Sequence, residues 1–212
     1  MMLHKDPFII NAETFALIQT LQTIPELNEF QLVGGTALAL QLGHRNSIDI
    51  DLFSQNEFDT QEIIGILSLK NLVEIVFQKE KNTLLANING IKTDFIRHPY
   101  PLLKPPIVEE GIRFLSKEDI SGMKIHAIVN SGKRLKDFVD MYFLLEHFTM
   151  NQMIGFYRHK YTHMSPMVPL KALTYFDDID PQMDPPKMKK PLPMEKIKKR
   201  LLESVLKMNK KF

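Results

Sequence analysis

The run LVGGTALALQLGHRNSIDIDLF, Leu32 to Phe53, constrains the fold of this 212-residue chain more than any other stretch. Phe30–Val33 is short, apolar and strand-like, and it runs straight into Gly34-Gly35 and a small apolar helix over Thr36–Leu42. Ser47–Phe53 then alternates, with Ile48, Ile50 and Leu52 expected on one face and Asp49 and Asp51 on the other. A strand that turns through Gly-Gly into a helix presents unpaired backbone N–H groups, and glycine lets a phosphate approach them closely. Two carboxylates two residues apart on a strand stand about 6.6 Å apart at the backbone. At an effective dielectric of 20 they repel by roughly 2.5 kcal/mol. A hard divalent cation cancels that repulsion, and Mg²⁺ with a nucleoside triphosphate suits a phosphate cradle flanked by few ligands better than Ca²⁺ does. Asp94, on a later strand, extends the set to three.

The remaining pattern alternates helix and strand. Helices are expected over 12–24 (capped by Asn11), 60–69, 116–130 (with Ser116 and Asp119 as a capping-box variant), 134–148, 150–161, 167–176 and 194–208. Strands are expected near 72–77 and as a hairpin, 83–88 and 91–97, around Asn89-Gly90, whose two positions tolerate positive φ. Pro99, Pro101, Pro105 and Pro106 make a loop beyond it. The class is α+β, a mixed β-sheet flanked by helices and followed by a helical C-terminal half. The expected divisions are an α/β domain over 1–115, a helical domain over 116–180, and a Pro-rich linker with a basic amphipathic helix over 181–212.

Composition enters through what it excludes. Without Cys there is no disulfide, thiol nucleophile, thiolate zinc site or iron–sulfur cluster, as a reducing cytoplasm permits. No apolar run nears the roughly 20 residues of a membrane span, and the first residues lack the apolar core of a signal peptide, so the expectation is a soluble cytoplasmic protein with no membrane partner. The net charge of +2 hides a segregation. Residues 187–212 hold ten basic and two acidic residues, +8, and residues 1–186 hold 17 basic and 23 acidic, −6. The basic tail has three readings: binding RNA phosphates, packing its apolar face (Ile197, Leu201, Val205, Met208) on the body, or docking a partner.

Leu32–Phe53 resembles the first motif of the nucleotidyltransferase AbiEii/AbiGii toxin family, in the DNA polymerase-β-like superfamily. A second stretch, KIHAIVNSGKRLKDFVDMYFLLE (Lys124 to Glu146), is similar to the family's helical motif. The resemblance covers about residues 30–148. It implies that Gly34, Gly35 and Thr36 hold the nucleotide's β- and γ-phosphates and that Asp49 and Asp51 ligate two Mg²⁺. Asp94 becomes the third carboxylate, and Lys124 reaches the triphosphate. Lys136, Asp137 and Asp140 line the nucleotide site from the helical half. Ser131 stands where some relatives carry Arg, a contact Lys133 or Arg134 could supply.

The implied activity is transfer of a nucleoside monophosphate from an NTP to an acceptor hydroxyl, with release of pyrophosphate, by a toxin of a toxin–antitoxin system acting on RNA, most plausibly tRNA, and paired with an antitoxin. Two alternatives stand beside it: the same chemistry on a small antibiotic-type acceptor, and a degenerate member that only binds nucleotide or a partner. Arg45 reads equally as a brace for the carboxylates or as an exposed residue. His159 and His163, at i and i+4, read as a surface pair rather than zinc ligands, since no third ligand follows at sensible spacing.

Overall fold

Asn11 accepts a hydrogen bond from the Thr14 amide and starts helix α1, Ala12–Gln22, which buries Leu17, Ile18 and Leu21. The computed structural model describes residues 2–162, 165 and 167–212. His163 lies outside the described residues, so the His159/His163 pair does too. The described chain divides into two compact units, one of residues 1–101 and 105–115, the other of residues 102–104 and 116–212.

The first unit is built on one mixed sheet. Its strands are β1 (Gln31–Leu32), β2 (Ile50–Ser54), β3 (Val73–Gln78), β4 (Thr83–Ile88), β5 (Ile91–Arg97), β6 (Ile107–Glu109) and β7 (Ile112–Phe114), in spatial order β3-β4-β5-β2-β1-β7-β6. Helix α2 (Gly34–Leu42) joins β1 to β2, and α3 (Thr60–Ser68), capped by the Asp59 carboxylate, precedes β3. β2 pairs in parallel with β5 and antiparallel with β1. The Asn89-Gly90 turn has φ of 52° and 79°, as a two-residue hairpin requires. Leu32, Leu38, Ile50, Leu52, Leu84, Phe95 and Phe114 form the core.

The mixed sheet flanked by helices agrees with the α+β expectation, and most elements fall within two residues of their expected bounds. Two details differ. Residues 107–114 were not read as strands, yet β6 and β7 form a hairpin that adds β7 in parallel to β1. β2 begins at Ile50, so Asp49 lies just ahead of the strand; Ile48 is 46% exposed and does not join Ile50 and Leu52 inside.

The second unit is helical: α4 (Lys117–Asn130), α5 (Leu135–Leu144), α6 (Met150–Lys160), α7 (Met167–Thr174) and α8 (Met194–Leu206). Helix α4 packs against α5, α6 and α7, and α8 packs on α5 and α7. Ile197 and Leu201 of α8 are fully buried while Lys196 and Lys199 face solvent, so the basic helix is docked by its apolar stripe. Ser116 caps α4 as its sequence suggests, but Asp119 does more than cap. Its carboxylate accepts from the Leu103 and Lys104 amides, the Ser116 hydroxyl and the Lys160 ammonium, 2.7 Å away, and neither Asp119 nor Lys160 is exposed at all. Among the described residues no helix is long and apolar enough to cross a membrane.

Candidate active site

Three loops and strand ends of the first unit build the carboxylate group. Gly34 opens α2 at φ +69°, a left-handed conformation that a residue with a side chain reaches only with strain. A Cβ on Gly34 would lie 2.2 Å from Asp51 Oδ2, so the Asp51 carboxylate is laid against the glycine backbone. The Val33 amide donates to the Asp51 carbonyl at 2.9 Å, tying the end of β1 to β2. Gly35 is needed for a different reason: a Cβ there would meet Arg45 Nη2 at 2.3 Å. Arg45 is 1% exposed, which overturns the exposed reading of that residue, and its Nη1 donates to the Asn46 carbonyl.

Thr36 is buried as well. Its hydroxyl donates to the Asp49 carbonyl and lies 3.0 Å from the Ser47 hydroxyl, so the side chain holds the segment that carries Asp49. Gly34 is half-buried and Gly35 buried, which leaves the Gly34 backbone as the more accessible part of the turn.

Asp94 stands directly beside Asp51 in the parallel register of β2 and β5. It is 7% exposed; Oδ1 is buried without a hydrogen-bond partner, and Oδ2 lies 3.3 Å from Lys92 Nζ. Burial pushes the Asp94 carboxyl above its ordinary range against the pull of Lys92, and the Asp49 charge adds to the rise. For Lys92, burial works to lower the pKa, but Asp94, Asp49 and Asp51 together outweigh it and hold the ammonium above its usual value. Asp49, Asp51 and Asp94 therefore all act on one ammonium.

The donor chemistry of the three carboxylates is the kind a hard divalent cation takes. Their donors are all oxygen, one buried oxygen lacks a partner, and a cationic side chain is already drawn to the group. Among the described residues no group of three or more such side chains is placed to hold a metal ion by itself. Lys92 was not singled out from the sequence, although its place two residues before Asp94 puts both on one face of β5.

The second unit holds the other residues of the set. Lys124, on α4 and 7% exposed, lies 2.7 Å from both Asp137 Oδ1 and Asp140 Oδ2 of α5. Asp137 and Asp140, three apart, share one helix face, and Arg134 Nε lies 3.9 Å from Asp137 Oδ2. Lys136 is not gathered with them: its ammonium pairs with Asp184 in the Pro-rich segment, which also takes Arg134 at 3.7 Å.

The chain is similar to known proteins in sequence and in fold. The family described as nucleotidyl transferase AbiEii toxin, of a type IV toxin–antitoxin system, matches residues 16–71, which include Gly34, Gly35, Thr36, Asp49 and Asp51. An uncharacterized protein of Aquifex aeolicus is 34% identical over 157 residues, covering 71% of this chain and 75% of that one. Among solved structures, a Helicobacter pylori protein provisionally described as a nucleotidyltransferase superposes with a TM-score of 0.57 at 16% identity, over 92% of each chain. JHP933 from Helicobacter pylori gives 0.57 at 17% identity, over 93% of this chain and 90% of its own. At such identities the two structures establish a shared fold.

Proposed function

We propose that this chain, which belongs to the AbiEii nucleotidyltransferase toxin family and is a nucleotidyltransferase, moves a nucleoside monophosphate from an NTP to a hydroxyl of RNA, with tRNA as the acceptor and a cognate antitoxin as its partner. The observation that carries the reading is the carboxylate group itself: Asp51 against the Gly34 backbone, Asp94 beside it with an unpartnered buried oxygen, and Asp49 tied in through Thr36.

Asp49, Asp51 and Asp94 would hold two Mg²⁺, which when bound lower the pKa of the attacking hydroxyl and offset charge on the triphosphate. The chain's own residues do the rest. The Gly34-Gly35-Thr36 turn is the proposed phosphate-holding segment, and Thr36 fixes the Asp49 carbonyl. Asp94, whose carboxyl burial pushes above its ordinary range, takes the acceptor's proton. The acceptor oxygen forms a bond to the α-phosphorus as the bond to the β-phosphate oxygen breaks, and pyrophosphate leaves. In the second unit Lys124 is the proposed triphosphate ligand, with Asp137 and Asp140 positioning its ammonium and Lys136 a further nucleotide contact. The exposed Lys196 and Lys199 of α8 are the proposed RNA-facing cations.

Each NTP in turn, labelled at the α-phosphate, should label tRNA in a Mg²⁺-supplemented lysate when the protein is added. Asp49→Ala should abolish that label; an unchanged signal refutes the assignment. A label on a small molecule and none on RNA would keep the chemistry and replace the acceptor.

A further inference from the structure

One cation inside the carboxylate group has no part in the reaction described above. Lys92 and Asp94 alternate with Thr93 on β5, so their side chains leave the sheet on the same face. Thr93 is fully buried on the other. The Lys92 ammonium lies 3.3 Å from Asp94 Oδ2, while Oδ1 of the same carboxylate is buried and unpartnered. The lysine side chain is 54% exposed and the aspartate 10%, so the ammonium approaches from the solvent side and can leave the way it came.

We propose that Lys92 is the internal counter-ion of the carboxylate group, holding Asp94 until a divalent cation takes its place and then standing free beside the phosphate site. This inference rests on the metal-dependent reading above and adds to it a positioning residue. Neighbouring carboxylates repel in the metal-free protein, and the Lys92 ammonium, on a side chain 54% exposed, relieves that repulsion. A cation that binds there must first displace the ammonium. Lys92 therefore weakens metal affinity while it keeps the empty group intact. Once displaced, the ammonium is a mobile positive charge within reach of the same strand end, where an incoming triphosphate brings negative charge.

The experiment is a nucleotide-free titration with Mn²⁺ and with Mg²⁺, read by calorimetry and by thermal shift, on wild type, Lys92→Met and Lys92→Arg. Lys92→Met should bind Mn²⁺ about tenfold more tightly and melt lower than wild type in chelator, with the two melting curves converging at saturating metal. Lys92→Arg, which keeps the charge, should retain the wild-type half-saturation. A Lys92→Met protein with wild-type or weaker Mn²⁺ affinity overturns the counter-ion role. A wild-type protein that binds neither ion, and transfers no nucleotide, instead overturns the metal-dependent reading beneath it.

Discussion

A methyl group placed on Gly34 tests the site at its tightest point. Two effects follow from the geometry of Gly34→Ala. The first is backbone strain, since φ is +69° and a left-handed alanine costs about 1–2 kcal/mol. The second is steric: the new Cβ would stand 2.2 Å from Asp51 Oδ2. A comfortable carbon–oxygen contact is about 3.3 Å, so the carboxylate must retreat by about 1 Å or turn away.

A displacement of that size in a reacting group costs about 10²-fold in rate. A loss of about 2 kcal/mol leaves a typical domain folded. Gly90→Ala is the control, because Gly90 has φ +79° but nothing within 4 Å of its would-be Cβ. Both variants should lower the urea midpoint, Gly34→Ala by at least as much as Gly90→Ala, whereas Gly34→Ala alone should lose about 10²-fold in single-turnover label transfer at saturating Mg²⁺ and NTP. If Gly34→Ala transfers label within threefold of Gly90→Ala, Asp51 is not where the chemistry happens.

Other consequences can be checked on the same preparations. Lys160→Met leaves the fully buried Asp119 without its ammonium and should destabilise the helical unit by about 3–5 kcal/mol in urea melts; a loss under 1 kcal/mol would show that the amides of Leu103 and Lys104 suffice. Burial lowers the pKa of His126, and burial with Lys117 and Lys211 lowers that of His147 against the opposing Glu146. Folded values depressed below the unfolded value of about 6.5 mean stability that is whole above that pH and lost as pH falls through the folded values. His126→Phe, which keeps the ring stacked on Tyr161 at 3.9 Å, should flatten the fall in melting temperature below pH 6.5; an unchanged slope would exclude His126 as a source. Lys196→Glu with Lys199→Glu should weaken tRNA binding and reduce the log–log salt slope by about 2, as two lost phosphate contacts require. Affinity unchanged across a salt series would remove α8 from RNA binding.

Where a local signal was strong, the sequence sufficed. Asn89-Gly90 marks its hairpin because both residues accept positive φ, and Gly34, at φ +69°, marks the strand-to-helix turn for the same reason. The β6–β7 hairpin is hard to read in the sequence because its strands are three residues each and its turn begins with Glu110, at φ +50°, ahead of a single Gly111. The role of Asp119 was half legible: Ser116 and Asp119 announce a helix start, but Lys160 comes from 41 residues away, and only the folded chain brings it in. Arg45 was undecidable from sequence because its burial depends on the space Gly35 leaves. Lys92 was legible through the period of two, yet an isolated Lys-x-Asp on a strand looks like an exposed pair until Asp51 is seen in register with Asp94. Similarly, the +8 of the tail does not reveal that Ile197 and Leu201 are docked.

Two buried aspartates show why the carboxylate group reads as a site and not as scaffolding. Both oxygens of Asp119 are engaged: Oδ1 by the Leu103 amide and the Lys160 ammonium, Oδ2 by the Lys104 amide and the Ser116 hydroxyl. Such a carboxylate is saturated, and its work is to hold a loop and two helices together. Asp94 is nearly as buried, yet one oxygen has no partner and the other has a lysine at 3.3 Å, longer than a well-made ionic hydrogen bond. An unmet buried acceptor costs about 1–3 kcal/mol. Asn at position 94 would avoid the charge and Val would avoid the acceptor, and both would suit a strand whose neighbours Thr93 and Phe95 are fully buried. The carboxylate is therefore kept at the expense of stability, and under the proposed function a cation or a proton drawn to that open oxygen would recover the loss.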